Sequence, residues 1–78
     1  MALKDLIETI AQALVDDPDG VEVTEIDGRH SSIIELRVAK DDIGKVIGKD
    51  GRTAQSMRTL LAAASIKLGR RAQLDIVD

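Results

Sequence analysis

Apolar residues near the start of the chain have the spacing of an amphipathic helix. They recur at positions i, i+3, i+4, i+7 and i+11: Leu3, Leu6, Ile7, Ile10 and Leu14. The segment 16–20, Asp-Asp-Pro-Asp-Gly, then ends the helix, because proline cannot continue it and glycine suits a turn. A first helix is therefore predicted from Leu3 to Leu14.

Three segments alternate between apolar and polar residues, which is the pattern of strands. In the first, Val21 and Val23 alternate with polar residues until Ile26 breaks the alternation, so we expect a bulge or a twisted edge there. Residues 27–31, Asp-Gly-Arg-His-Ser, predict a hairpin loop to the second strand. The inward-facing residues of the second and third strands are Ile34, Leu36 and Val38, and Ala72, Leu74 and Ile76.

Two helices are predicted between the second and third strands. Asp41 or Asp42 can cap a short helix, which ends at Gly48. A longer helix begins at Arg52 and closes at Gly69. Their apolar faces consist of Ile43, Val46 and Ile47 in the short helix, and of Met57, Leu60, Leu61, Ala64 and Leu68 in the long one.

The order α-β-β-α-α-β predicts an α+β fold, in which three helices pack on one face of a three-stranded sheet. The 78 residues permit a single domain, residues 1–78, with one small core and no linker or repeat. The chain has no cysteine, so disulfides and thiolate-metal sites are excluded. No apolar run approaches the roughly 20 residues of a membrane span, and acids interrupt the apolar pattern at the N-terminus. We expect a cytoplasmic domain without a signal peptide or membrane contact.

Charge is divided unevenly along the chain. The formal net charge is -3, yet residues 1–28 hold -7 and residues 29–78 hold +4. Between Gly44 and Arg71 seven cations face a single acid, Asp50, which gives this segment a charge of +6. Because the local field steers a polyanion, the segment favours nucleic-acid binding. The chain has no Phe, Tyr or Trp, which disfavours modules that stack bases on aromatic rings but not a groove lined by aliphatic side chains.

The segment 44–52, Gly-Lys-Val-Ile-Gly-Lys-Asp-Gly-Arg, combines the features of a phosphate-binding loop. Gly48 and Gly51 flank Lys49 and Asp50 in a short link between two helices. Glycine permits a sharp turn and keeps side chains away from a ligand's backbone. The first N–H groups of the helix that follows lack intrahelical acceptors and face the same space. The link is therefore a candidate nucleic-acid contact.

With this loop and this order of elements, the chain resembles a type II KH domain, and more closely the KhpA family of small bacterial single-KH proteins. The resemblance covers essentially the whole chain and is clearest over residues 44–54, which match the G-x-x-G pattern followed by a helix. It implies a cytoplasmic RNA-binding protein that pairs with a second KH protein, KhpB. Two residues depart from the family pattern. Ala54 stands where many KH domains have isoleucine, and Asp50 introduces a carboxylate that would repel phosphate.

The resulting hypothesis is a module that clamps about four nucleotides of single-stranded RNA with modest sequence preference. The backbone of the link would face phosphates, with Lys49 as the first phosphate contact. Ile43, Ile47 and the second strand would hold the bases. The full predicted RNA-binding set is Gly48, Lys49, Asp50, Gly51, Arg52, Lys45, Ile43, Ile47, Arg37, Lys40 and Arg58. Arg70 and Arg71 are left out, since they suit the C-terminal dipole of the long helix.

A rival hypothesis is a protein-interaction module whose main task is dimerisation, as a homodimer or with a KhpB-like KH protein. A small core gains stability from a partner, and two weak RNA sites bind more tightly when they are joined. The two hypotheses can both hold, and they differ in the expected effect of Lys49→Asp. If the link binds RNA, this substitution should abolish RNA binding and leave assembly intact. If the variant dissociates or unfolds instead, the link is structural.

An enzyme is not expected. The segment 44–50 superficially resembles a P-loop, but three residues separate its glycines where four are required, and Asp50 occupies the place of the magnesium-binding Ser or Thr. No nucleophile-base pair can be identified. With His30 as the only histidine, we predict no metal, no cofactor and no small-molecule substrate.

Overall fold

A computed structural model describes residues 2–77 and places three helices against one face of a three-stranded sheet. The helices and strands occur in the predicted order: α1 (Leu3–Leu14), β1 (Glu22–Asp27), β2 (Ser31–Arg37), α2 (Ile43–Ile47), α3 (Arg52–Lys67) and β3 (Arg71–Ile76). Short 3-10 turns connect some of them: Pro18–Gly20, Lys40–Asp42 and Lys49–Gly51. The predicted α+β class and the type II KH arrangement are therefore confirmed.

The central strand of the sheet is β2. It pairs antiparallel with β1 and parallel with β3, so both of its edges are occupied. In the parallel pair, the N–H of Val77 donates to the carbonyl of Leu36 at 2.9 Å. Alternate residues of a parallel strand bond to its neighbour, so the N–H and C=O groups of Ala72, Leu74 and Ile76 point away from β2. Within residues 2–77 no further strand pairs with this edge of β3.

The core lies between the sheet and the two longer helices. Helix α1 covers β1 and β2, and α3 covers β3. Burying each large aliphatic side chain contributes roughly 1.5–3 kcal/mol. The most completely buried apolar residues are Ile7, Ala11, Ile34, Leu36, Val46, Met57 and Leu61.

The apolar stripe of α3 differs from the prediction. Leu60 and Leu68 are 53% and 52% exposed, so their assignment to the core was wrong. The buried face of α3 instead consists of Ala54, Met57, Leu61 and Ser65. Small residues at both ends of this face let the helix approach its neighbours, which leaves the two leucines at the surface. In α1, Leu14 is likewise 38% exposed, and the buried residues are Leu3, Ile7 and Ala11.

The first strand is an edge strand and is regularly paired, so of the bulge or twisted edge expected at Ile26 the bulge is absent. Its pairing with β2 runs without interruption from Glu22 opposite Arg37 to Asp27 opposite Ser32. Ile26 lies opposite Ile33 on the face of the sheet that the helices leave uncovered. The alternation breaks because the inward positions at this end of β1 are taken by acids. The predicted hairpin loop is confirmed, and Val38 follows the end of β2 but still packs against the core.

Neither Asp41 nor Asp42 caps the short helix, contrary to prediction. No side-chain hydrogen bond caps α2 or the turn before it. The carboxylate of Asp42 points the other way and accepts the backbone N–H groups of Asp16 and Asp17 at 3.3 and 3.0 Å. This aspartate therefore fastens the start of α2 to the turn that follows α1.

The link between α2 and α3 depends on a close contact at Gly48. Its backbone has φ 77° and ψ 171°, a conformation that is essentially restricted to glycine. A Cβ atom at this position would lie 2.1 Å from Oγ1 of Thr53 and 2.9 Å from the Thr53 nitrogen. The absent side chain of Gly48 thus makes room for the first turn of α3.

We predict that Gly48→Ala lowers the free energy of unfolding by more than about 2 kcal/mol, since backbone strain of roughly 1–3 kcal/mol adds to the steric clash. Gly44→Ala is the matched control, because a Cβ there meets nothing within 4 Å. It lies inside α2 and should raise stability by up to roughly 1 kcal/mol. Urea unfolding followed by far-ultraviolet circular dichroism measures both values. Equal midpoints for the two variants would refute the close contact at Gly48.

Candidate nucleic-acid interface

The four-residue link presents a bare, left-handed backbone at the tip between α2 and α3. Asp50 and Gly51 are consecutive left-handed residues with φ of 57° and 73°. Aspartate is one of the few residues besides glycine that tolerate this region. A Cβ atom at Gly51 would meet nothing within 4 Å, so this glycine faces open space. Gly48 serves packing, and Gly51 leaves the surface of the link open.

The N-terminus of α3 adjoins this open space. Gly51 is its N-cap residue and has no side chain to accept the first N–H groups. The N–H groups of Gly51 and Arg52 themselves close the turn, since they donate to the carbonyls of Gly48 and Lys49. The first turn has no acidic residue either. The dipole of a 16-residue helix without a side-chain cap therefore favours an anion here.

Three cations in the link and on α3 have no carboxylate partner among the described residues. Lys49, Arg52 and Arg58 are exposed. Among residues 2–77 the ion pairs within 4.0 Å involve only two other cations, Lys45 and Arg70. Asp50 is also exposed and places one acid in the same link. The net local charge remains positive and available to a ligand.

A groove of about 290 Å³ lies between α3 and the free edge of β3. Arg58 lies at it, and the buried side chains of Leu61 and Leu74 form an apolar floor. Its remaining lining residues are Ala72 and Gln73. The groove therefore combines an apolar surface, one cation and the outward N–H and C=O groups of β3.

The sequence predicted the second strand as the one that holds the bases, whereas this groove lies at the edge strand β3. Because β2 is central, its backbone groups are paired on both sides and cannot face a ligand. The parallel pairing that leaves β3 at the edge joins residues about 40 positions apart, such as Ile34 and Leu74. Apolar alternation shows that a strand exists but not which strand it pairs with, so no local pattern predicts that β3 lies at the edge.

The remaining predicted site residues lie at different distances from the link. Ile43 and Ile47 are half-buried on α2, on either side of the fully buried Val46, so each retains an accessible edge. Arg37 lies opposite Glu22 on the uncovered face of the sheet. Lys40 begins the turn before α2, whereas the link follows the other end of that helix. The structure thus places Ile47 next to the link and Ile43 at the opposite end of α2, and it separates Arg37 and Lys40 from the link.

Lys45 is engaged by two aspartates. Its Nζ lies 3.2 Å from Asp16 and 3.5 Å from Asp42. The hydrogen bond and charge of Asp16 raise the pKa of Lys45 above its ordinary value. For Asp42 burial alone would raise the pKa, but hydrogen bonds from the N–H groups of Asp17 and Asp16 and the charge of Lys45 outweigh it and lower the pKa. Both groups are therefore held in their charged forms, and each stabilises the charge of the other.

Arg70, left out of the predicted site, has a structural partner. Its Nη2 donates to Asp27 and, at 2.8 Å, to the hydroxyl of Ser32, which in turn donates to Asp27 at 2.8 Å. The hydrogen bond from Ser32, followed by that from Arg70, lowers the pKa of Asp27. These contacts tie the end of α3 to the β1–β2 hairpin.

The described residues form neither a metal-binding cluster nor a membrane-spanning helix. Residues 2–77 contain no group of three or more His, Cys, Asp or Glu side chains arranged to hold a metal ion. No helix in that range is long and apolar enough to cross a membrane.

The fold has counterparts among solved structures. Era in complex with MgGDPNP and nucleotides 1506–1542 of 16S ribosomal RNA matches 95% of this chain with a TM-score of 0.65 and 19% identity. Era from Aquifex aeolicus bound to GDP and AlF4- matches with a TM-score of 0.64, also at 19% identity. The chain spans only 28% and 29% of those longer chains. At this identity the likeness concerns the fold alone.

Similarity in sequence is much closer to a set of small proteins. The chain is 58% identical to RNA-binding protein KhpA of Caldanaerobacter subterraneus over 94% of its own length and 97% of the relative's. It is 57% identical to the KhpA of Halalkalibacterium halodurans, over 97% of this chain and 100% of the relative. For the KhpA of Aquifex aeolicus the identity is 51%, over 99% and 98%.

A family model described as "KhpA/KhpB, KH domain" matches residues 4–76. The resemblance inferred from the G-x-x-G link is thereby confirmed, and the family is one of KH domains, not of enzymes. Over nearly its whole length, the chain belongs to the KhpA/KhpB KH-domain family.

Proposed function

We propose that this chain binds short single-stranded RNA, with the link 48–51 on the phosphates and the α3–β3 groove on the bases. The observation that supports this most is the exposed, left-handed turn at Asp50 and Gly51, which adjoins the uncapped N-terminus of α3 and cations without carboxylate partners. The relatives named RNA-binding protein KhpA are similar in sequence to this chain over nearly their whole length. A cytoplasmic location agrees with such a ligand.

Phosphates would be bound by positively charged side chains and by the N-terminal dipole of α3. Lys49 and Arg52 supply charge, and the dipole at the N-terminus of α3 adds to it, whereas the N–H groups of Gly51 and Arg52 already donate to the carbonyls of Gly48 and Lys49. Asp50 opposes this, since two like charges at ~4 Å in surface-like surroundings repel by a few kcal/mol before salt screening. We infer that the Asp50 side chain is directed away from the bound strand while Lys49 faces it.

Bases would lie against aliphatic side chains and the free edge of β3. Leu61 and Leu74 offer an apolar floor, and the outward N–H and C=O groups of Ala72 and Leu74 can pair with base edges. Ile43 and Ile47 extend the apolar surface toward the link. Without aromatic stacking the site has little area, so we infer weak affinity, modest sequence preference and a footprint of about four nucleotides. Arg37 and Lys40 would reach only nucleotides beyond that footprint.

We predict that RNA affinity falls with salt at a slope of log K against log salt of about -2, because three available cations each contribute about 0.7. These cations are Lys49, Arg52 and Arg58. Fluorescence anisotropy with a labelled single-stranded RNA measures the slope.

Lys49→Asp should abolish binding. Asp50→Asn should strengthen it, since asparagine tolerates the same left-handed backbone without the charge. Circular dichroism confirms that both variants are folded. A flat salt response, or wild-type binding by Lys49→Asp, would contradict phosphate clamping by this link.

A second candidate function is docking of another KH protein, and it is favoured by uncovered apolar surface on α3. Leu60 and Leu68 are each about half exposed. Leu68 also lines a groove of about 300 Å³ between α1 and α3. The other lining residues are Ala2, Leu3, Leu6, Ala64 and Lys67. We infer that a second copy of this chain, or a KhpB-like KH protein as the family description suggests, docks on this surface and joins two RNA sites.

We predict that Leu60→Glu combined with Leu68→Glu converts the assembly to monomers while RNA affinity per site is retained. Size-exclusion chromatography with light scattering measures the mass, alone and after mixing with a purified KhpB-like protein. Ile66→Glu is the matched control, since Ile66 is 79% exposed on the same helix but lies outside the row that Leu60, Ala64 and Leu68 form at four-residue spacing. Docking at this surface would be ruled out if Ile66→Glu dissociated the assembly to the same extent. It would also be ruled out if the wild type were monomeric both alone and after mixing with the KhpB-like protein.

A further inference from the structure

The carboxylate of Asp42 is buried at the junction of two distant parts of the chain. Its residue is only 3% exposed, and its two oxygens accept N–H groups of Asp16 and Asp17, about 25 residues earlier. Lys45, one helical turn further on, lies within 3.5 Å of the same carboxylate and also contacts Asp16. The turn after α1 and the start of α2 are therefore joined by a charged, hydrogen-bonded contact, here called the Asp42 clasp (Asp16, Asp17, Asp42 and Lys45).

Helix α2 needs such a contact because it cannot fix its own position. It has five residues and no side-chain cap, and helices this short are unstable without tertiary contacts. Its end is held by the approach of Gly48 to Thr53 and its middle by the buried Val46. Its start is held by the Asp42 clasp. Since the link 48–51 directly follows α2, the placement of the link depends on both ends of this helix.

We propose that Asp42 is a positioning residue for the RNA-binding link, and that the Asp42 clasp keeps Lys45 from contacting phosphate. This inference rests on the proposed function of the link. Asp42 itself touches no RNA in this account, because its carboxylate is buried and both oxygens are occupied. It acts through α2.

Electrostatics and positioning predict opposite effects when this carboxylate is removed. Asp42 lies only a few residues from the link, so loss of its negative charge should strengthen binding of a polyanion. Loss of the two hydrogen bonds to Asp16 and Asp17 should instead let α2 shift and weaken binding. The direction of the change therefore distinguishes positioning from a simple charge effect.

The first test compares Asp42→Asn with Asp41→Asn, a matched control that removes the same charge from the neighbouring, exposed residue. Anisotropy is measured with a labelled single-stranded RNA at a temperature where thermal melts show both variants to be folded. We expect Asp42→Asn to weaken binding by on the order of tenfold, with the salt slope unchanged, and Asp41→Asn to bind as tightly as wild type or more tightly. Folded Asp42→Asn that binds as well as Asp41→Asn would overturn the positioning role.

The second test compares Lys45→Gln with Lys49→Gln and decides the proposal even if Asp42→Asn fails to fold. Loss of a phosphate contact reduces the salt slope by about 0.7. Lys49→Gln should show this reduction, and Lys45→Gln should keep the wild-type slope. A reduced slope in Lys45→Gln would overturn the sequestration of Lys45. If wild type shows no salt-dependent binding at all, the proposed function itself fails, which is distinct from either outcome for the Asp42 clasp.

Discussion

The contact between Gly48 and Thr53 determines how the rest of the candidate interface is arranged. It brings the end of α2 against the first turn of α3, so the chain must reverse within the four residues between Gly48 and Gly51. That reversal is possible only with positive φ angles, and it leaves the N-terminus of α3 uncapped. Because α3 also packs on β3, the same helix links the exposed turn to the groove at the sheet edge.

Charge is organised by pairing as well as by composition. The chain has a net charge of -3, but two of its acids near α2, Asp16 and Asp42, are engaged by Lys45, and Asp42 also accepts backbone N–H groups. Lys49, Arg52 and Arg58 have no such partner within the described range. An acidic protein can therefore offer a positive surface to a polyanion, since local charge decides where a polyanion binds. The acids elsewhere would limit indiscriminate binding.

Local features of the sequence were sufficient to predict the elements and the link. Proline and glycine at 18–20, alternation in the strands and the two glycines at 48 and 51 act over a few residues, and each is visible in the sequence. Long-range features were not predictable. The place of β3 at the edge depends on pairing between Ile34 and Leu74, and the partner of Lys45 depends on a turn about 29 residues away. Leu60 and Leu68 fit an apolar stripe, but only packing shows that the core does not reach them.

The most direct test of RNA binding by the link and the β3 edge is nuclear magnetic resonance of the nitrogen-15-labelled protein during titration with a short single-stranded RNA. The account predicts shifts of the amide signals from Gly48 to Arg52 and from Ala72 to Leu74. The signals of Ile26 and Ile33, on the uncovered face of the sheet, should stay in place. Shifts confined to that face, or to α1, with an unchanged link would contradict the account.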